Sequence, residues 1–71
     1  MIPLVIAAEN TPLEILKVSA DDKTKRHLEN LGLLKGATIT LISKNNGDVN
    51  LKVKDGRLAI NSDLATKIYV G

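Results

Sequence analysis

Apolar residues fall along this chain in short runs, and each run ends at turn-forming residues. The first run, Ile2 to Ala8, predicts a strand. Glu9-Asn10-Thr11-Pro12 then reads as a turn, because Asn tolerates a left-handed backbone and Pro fixes φ. Leu13 to Val18 predicts a second strand. Its apolar residues, Leu13, Ile15, Leu16 and Val18, alternate imperfectly, so both faces are expected to be partly covered. Ser19-Ala20-Asp21-Asp22 opens a helix over about Lys23 to Leu31. Asp22 is the preferred N-cap, since a short carboxylate accepts the free N–H groups of the first turn. Gly32 stands where a left-handed residue ends a helix, and Leu28 and Leu33 then form the hydrophobic pair of a Schellman stop. Leu28 and Leu31 are expected to face the core. Lys23, Lys25, Arg26 and Glu29 mostly face solvent.

After a Lys35-Gly36 turn the period changes to two. Ala37 to Ser43 predicts a strand with Ile39 and Leu41 on one face and Thr38, Thr40 and Ile42 on the other. Asn45-Asn46-Gly47-Asp48 is a hairpin turn, because Asn-Gly adopts positive φ readily. Val49 to Lys54 alternates cleanly, as a half-solvated antiparallel strand does. Asp55-Gly56 predicts another tight turn, and Arg57 to Ile60 the returning strand with Leu58 and Ile60 inward. Asn61-Ser62-Asp63 caps a short helical turn through Ala65 or Thr66. Ile68-Tyr69-Val70 closes the series. Short strands joined by tight turns favour a barrel, because closure removes sheet edges. The expected fold is mainly β with one inserted α-helix: a small SH3-like barrel, residues 1–71 as one domain, the helix plugging or covering one open end.

Composition narrows the chemistry. The chain has 71 residues, one tyrosine, and no cysteine, tryptophan or phenylalanine. Leu, Ile and Val make up 23 of the 71, above the roughly 20% below which disorder is expected. A core must therefore come from aliphatic packing. Zero cysteines exclude a disulfide framework, a thiolate zinc site and an iron–sulfur cluster. The longest apolar run is about a third of the roughly 20 residues a helix needs to cross a bilayer. It also lacks the basic start of a secretory signal.

Candidate catalytic groups are sparse. Ser19, Ser43 and Ser62 have one histidine to share, and no nucleophile motif surrounds any of them. The glycines stand singly, so no phosphate-cradling loop exists. The sequence reads as non-enzymatic and without a cofactor. For a metal, Asp21, Asp22 and His27 are the candidates, but one His and no Cys cannot fill a tetrahedral site, and no calcium-loop spacing appears. Capping explains the aspartates, and a surface position explains His27. Weak transition-metal binding at these three residues stays open at this point. Nucleic acid is a rival partner, because Lys23, Lys25 and Arg26 form a basic cluster. Asp21, Asp22 and Glu29 offset it, the net charge is +2, and Tyr69 alone could stack on a base.

The stretch from Asp21-Asp22-Lys23-Thr24-Lys25-Arg26-His27 through Leu28-Glu29-Asn30-Leu31-Gly32 to Leu33-Leu34-Lys35-Gly36-Ala37 resembles the central signature of the FeoA family. That signature is a loop leading to a basic helix ending in Leu-x-x-Leu-Gly, then a Gly turn into a strand. Gly47-Asp48, Arg57-Leu58-Ala59-Ile60, Ala65 and Ile68-Tyr69-Val70 match later family positions in order. Three turn positions depart from it: Asn10 replaces a usual glycine, Lys35 a usual proline, and no proline follows Gly47-Asp48. The resemblance implies a cytoplasmic SH3-like protein of the bacterial ferrous iron uptake system, peripheral to the inner membrane through its partner. It implies action with the FeoB transporter, a membrane protein with a GTP-binding domain, and no iron cargo of its own. The same module ends metal-dependent repressors of the DtxR type, whose helix-turn-helix portion this chain lacks.

The function expected is non-enzymatic regulation of ferrous iron transport by docking onto a FeoB-type transporter. The contact residues expected are Lys23, Lys25, Arg26, Leu33, Leu34 and Arg57, with Leu33 or Leu34 exposed beside the Gly36 turn. The alternatives are a small nucleic-acid-binding barrel, and a module that self-associates through edges near Met1 and Val70.

Overall fold

The computed structural model describes residues 1–54 and 56–71. The chain forms β1 (Ile2–Pro3), a 3-10 turn (Leu4–Ile6), β2 (Pro12–Val18), α1 (Asp22–Asn30), β3 (Thr38–Asn45), β4 (Asp48–Val53), β5 (Gly56–Asn61), α2 (Ser62–Ala65) and β6 (Ile68–Val70). The strands make one six-stranded sheet in the order β1-β6-β2-β3-β4-β5, antiparallel at every pairing. It coils around a buried core that is wholly aliphatic among the described residues.

The meander β3–β4–β5 follows the expected alternation. Ile39, Leu41, Val49, Leu51, Val53 and Ile60 point inward and are buried. Asn46 and Gly47 take φ of 42° and 88° between the paired residues Asn45 and Asp48, a two-residue hairpin turn of the twisted kind. The expected Asp55-Gly56 turn includes Asp55, which lies outside the described residues; Gly56 pairs with Val53 as the first residue of β5. Asn61 caps α2, its side chain accepting from the Leu64 N–H at 2.8 Å.

The imperfect alternation of β2 has a physical cause. Ile15 pairs with Val70 and Lys17 with Tyr69, so Leu16 is an extra residue in a bulge. A bulge shifts the inward phase by one residue. Leu13, Ile15 and Val18 therefore pack on the core, and Leu16 is released to the other side.

Three expectations need correction. The run Ile2 to Ala8 is not a strand beyond Pro3. Leu4 and Ala7 are buried at a spacing of three, Ile6 is 65% exposed, and Pro3 (φ −62°) precedes a 3-10 turn. Apolar content without alternation does not specify a strand. The N-cap of α1 is Asp21, not Asp22. Asp21 Oδ1 accepts the Thr24 N–H at 2.8 Å, and Asp22 sits in the first turn, where it complements the helix dipole. Leu31 is 36% exposed rather than in the core. It is the C-cap of α1, one residue past Asn30, where the chain is about to reverse at Gly32 (φ +90°). The Schellman stop itself is present: Leu33 N–H donates to Leu28 O and Gly32 N–H to Glu29 O, both at 2.9 Å. That reversal brings Leu33 back onto Leu28, and both are fully buried.

A candidate partner-binding groove between the helix and the bulged strand

The turn between α1 and β3 is held against β2 by backbone bonds. Gly36 N–H donates to Ile15 O and Ile15 N–H to Ala37 O, each at 2.8 Å. Ala37 N–H donates to Leu34 O at 3.0 Å, and Gly36 takes φ +93°. These bonds close a tight loop that fixes Leu34 outward, 43% exposed.

A groove of about 260 Å³ opens beside this loop. The bulged strand supplies Leu16, Lys17 and Val18, the helix supplies Lys25 and Glu29, and the loop supplies Leu33, Leu34 and Lys35. Leu33 closes the floor. Lys25 and Glu29 stand one helical turn apart on the same face. The groove thus offers an aliphatic floor with three lysines and one glutamate around it. An apolar side chain flanked by carboxylates complements such a surface.

The expected contact residues divide. Lys25 and Leu34 meet at the groove, with Leu33 beneath them. Leu33 is buried, which corrects its reading as an exposed contact: the Schellman turn commits it to the core. Lys23 and Arg26 lie on another face of α1, around a shallow depression with Asp22, His27 and Asn30. Arg57 is on β5, beside a separate depression with Ile42 and Asn50. Leu16, Lys17, Val18, Glu29 and Lys35 also line the groove and are not among the expected contacts. The only sequence trace of the first three was the broken alternation of β2.

Among the described residues no three His, Cys, Asp or Glu side chains come together as a metal site. Asp21 is occupied by Thr24. The Thr24 side chain, and next its backbone N–H, hold the Asp21 carboxyl below the usual carboxylate range. His27 shares its surface with Lys23 and Arg26, which oppose a cation. Tyr69 is half-buried in β6, between Pro3 and Lys17 in the register. No helix among the described residues is long and apolar enough to cross a membrane.

The FeoA domain matches residues 2–71 of the sequence. The chain belongs to the FeoA family. A relative from Methanocaldococcus jannaschii, named "Putative Fe(2+) transport protein A", is 31% identical over 70 residues, spanning 99% of this chain and 85% of its own. Among solved structures, a crystal structure of an iron uptake regulatory protein, FeoA, superposes with a TM-score of 0.88 at 24% identity, covering 97% of this chain and 93% of that one. The FeoA-like protein of Clostridium acetobutylicum gives 0.85 at 18% identity, covering 99% and 84%. ScaR with bound Zn2+ also gives 0.88 at 24% identity, but there the match spans 99% of this chain and 36% of ScaR. These likenesses establish the SH3-like fold of the family and show that it also occurs as a part of longer proteins.

Proposed function

We propose that this FeoA-family chain is a non-enzymatic accessory protein of ferrous iron transport, acting as a single unit over residues 1–71. It docks by protein–protein contact onto the cytosolic part of a FeoB-type GTP-binding membrane transporter and modulates transport. The observation that carries this reading is the groove between α1 and β2, in which exposed Leu34 and half-buried Leu16 and Val18 sit among Lys17, Lys25 and Lys35. A rigid aliphatic site with a charged rim suits a folded protein partner. The iron-transport context is supported by family membership and by the name of the archaeal relative. The nucleic-acid reading is weaker, because the one aromatic side chain is held half-buried in the sheet and offers no stacking platform.

The test is co-purification of the chain with the transporter's cytosolic domain, wild type against Leu34→Glu. The expected result is a wild-type complex that the variant loses while keeping its melting temperature. A wild-type protein that forms no complex, with ferrous uptake unchanged on deletion of its gene, would refute the reading. So would tight, salt-sensitive shifting of short RNA or DNA with no transporter complex, which favours the rival.

A further inference from the structure

We infer that the outer edge of β5 is a strand-addition site for an extended, carboxylate-bearing segment of the docking partner. This rests on the docking reading above and adds the chemistry of a second contact. The sheet has two edges. β1 is two residues long and includes Pro3, which donates no N–H; such an edge is already blunted. β5 is six residues long and contains no proline.

The hairpin geometry fixes which β5 groups face outward. Asn45 and Asp48 flank a two-residue turn, so they exchange backbone bonds, and Asp48, Asn50 and Lys52 point to β3. Val49, Leu51 and Val53 therefore point to β5, where they meet Ile60, Leu58 and Gly56. That leaves the N–H and C=O groups of Arg57 and Ala59 on the open side. Among the described residues no backbone group across that side takes them up. Ala59 is exposed and small, so a strand can approach closely.

The charge pattern selects the guest. Lys52 and Arg57 stand directly opposite each other in the register, on the outer face. Like charges so placed destabilise a sheet. The other cross-strand neighbour of Lys52 is Thr40, which cannot neutralise it. A carboxylate on an added strand relieves this pair. A second copy of the chain would instead bring two more such cations to the same edge. Beside Arg57 a depression of about 360 Å³, reaching from Ala59 to half-buried Ile42, receives an adjacent side chain.

Position supports continuity with the groove. Gly32 abuts Val53, whose Cγ1 would lie 3.2 Å from an added Cβ, and Val53 is the register partner of Gly56. The α1–β3 turn and the start of β5 therefore share one end of the molecule.

The experiment compares wild type, Ala59→Pro and Arg57→Glu for binding to the transporter's cytosolic domain, with hydrogen exchange in the complex. Ala59→Pro removes an outward N–H without removing a bond to β4. The expected result is about fivefold weaker binding for Ala59→Pro and about tenfold or more for Arg57→Glu. The Arg57 and Ala59 amides are expected to become protected only in the complex. A far-ultraviolet melt for each variant checks folding, and the wild-type exchange result stands even if Ala59→Pro fails to fold. A wild-type complex in which both amides stay unprotected and Arg57→Glu binds normally overturns this inference alone. Absence of any wild-type complex removes the docking reading and this inference with it. Protection of the Ala59 amide by self-association without the transporter would make a second copy the guest and overturn it too.

Discussion

Replacing Gly32 by alanine tests how the α1–β3 turn is built. Gly32 has φ +90°, and a Cβ placed there would meet Val53 Cγ1 at 3.2 Å. A left-handed backbone costs an L-residue about 1–2 kcal/mol. Forcing a methyl into packed surroundings adds about 1 kcal/mol. Gly36 is the internal control. It has φ +93°, but nothing lies within 4 Å of its added Cβ. Gly36→Ala therefore carries the backbone penalty alone, about 1–2 kcal/mol. In a domain this small each kcal/mol lowers the melting temperature by about 4–8 °C, so Gly32→Ala should melt about 4–8 °C below Gly36→Ala. Urea titrations of both variants give the two free energies directly. A third variant closes the argument: in a Val53→Ala background the crowding atom is gone, and the two glycine substitutions should become equally costly, a coupling of about 1 kcal/mol. If Gly32→Ala were no worse than Gly36→Ala, the contact with Val53 would play no part. If neither variant were destabilised, the left-handed geometry itself would be wrong.

Further outcomes follow from the same structure. Leu28→Ala removes a fully buried side chain from the pair with Leu33 and should cost about 2–5 kcal/mol, read as a large fall in the urea midpoint. Asp21 has its carboxyl held below the ordinary range by Thr24, so its contribution is complete above the unfolded pKa, near 4, and is lost as pH falls through the lower folded value. Asp21→Asn keeps an N-cap acceptor and should flatten that acid limb of the stability curve; parallel wild-type and variant curves from about pH 5 to 2 would count against it. Leu34→Glu, at a 43% exposed site, should change stability by less than about 0.5 kcal/mol and so isolates the binding defect.

What the sequence disclosed follows from the range of the interactions involved. The β3–β4–β5 meander is local: alternation and the Asn46-Gly47 turn specify it without reference to the rest of the chain. The Schellman stop was legible for the same reason, since Leu28, Gly32 and Leu33 lie within six positions. The run Ile2 to Ala8 was misread because a 3-10 turn buries Leu4 and Ala7 while leaving Ile6 outside, and apolar content alone cannot separate that from a strand. Asp21 and Asp22 are chemically equal caps; only backbone geometry chooses between them. The groove was half visible. Lys25 and Leu34 stood out within one segment, but Leu16 and Val18 arrive from β2 through a bulge set by pairing with β6. Nor could composition reveal that Lys52 and Arg57 face each other, since that needs the register of a hairpin.

The wedging of β6 between β1 and β2 bears on the order of folding. The meander closes through short turns, whereas β6 must join residues distant in sequence, Ile2 and Ile15 with Val70. Loop closure of that length is entropically slower and is the first to be given up in partial opening. The seam should therefore breathe while the meander stays shut, with β6 amides exchanging ahead of those in β4. Equal protection of the two strands would argue against this order. The chain's single tyrosine sits in that seam, so its emission is a native reporter of barrel closure with no other aromatic to obscure it. Because the same seam sets the bulge that releases Leu16, each opening also unmakes one wall of the groove, and partner binding should slow the exchange of β6 from a distance.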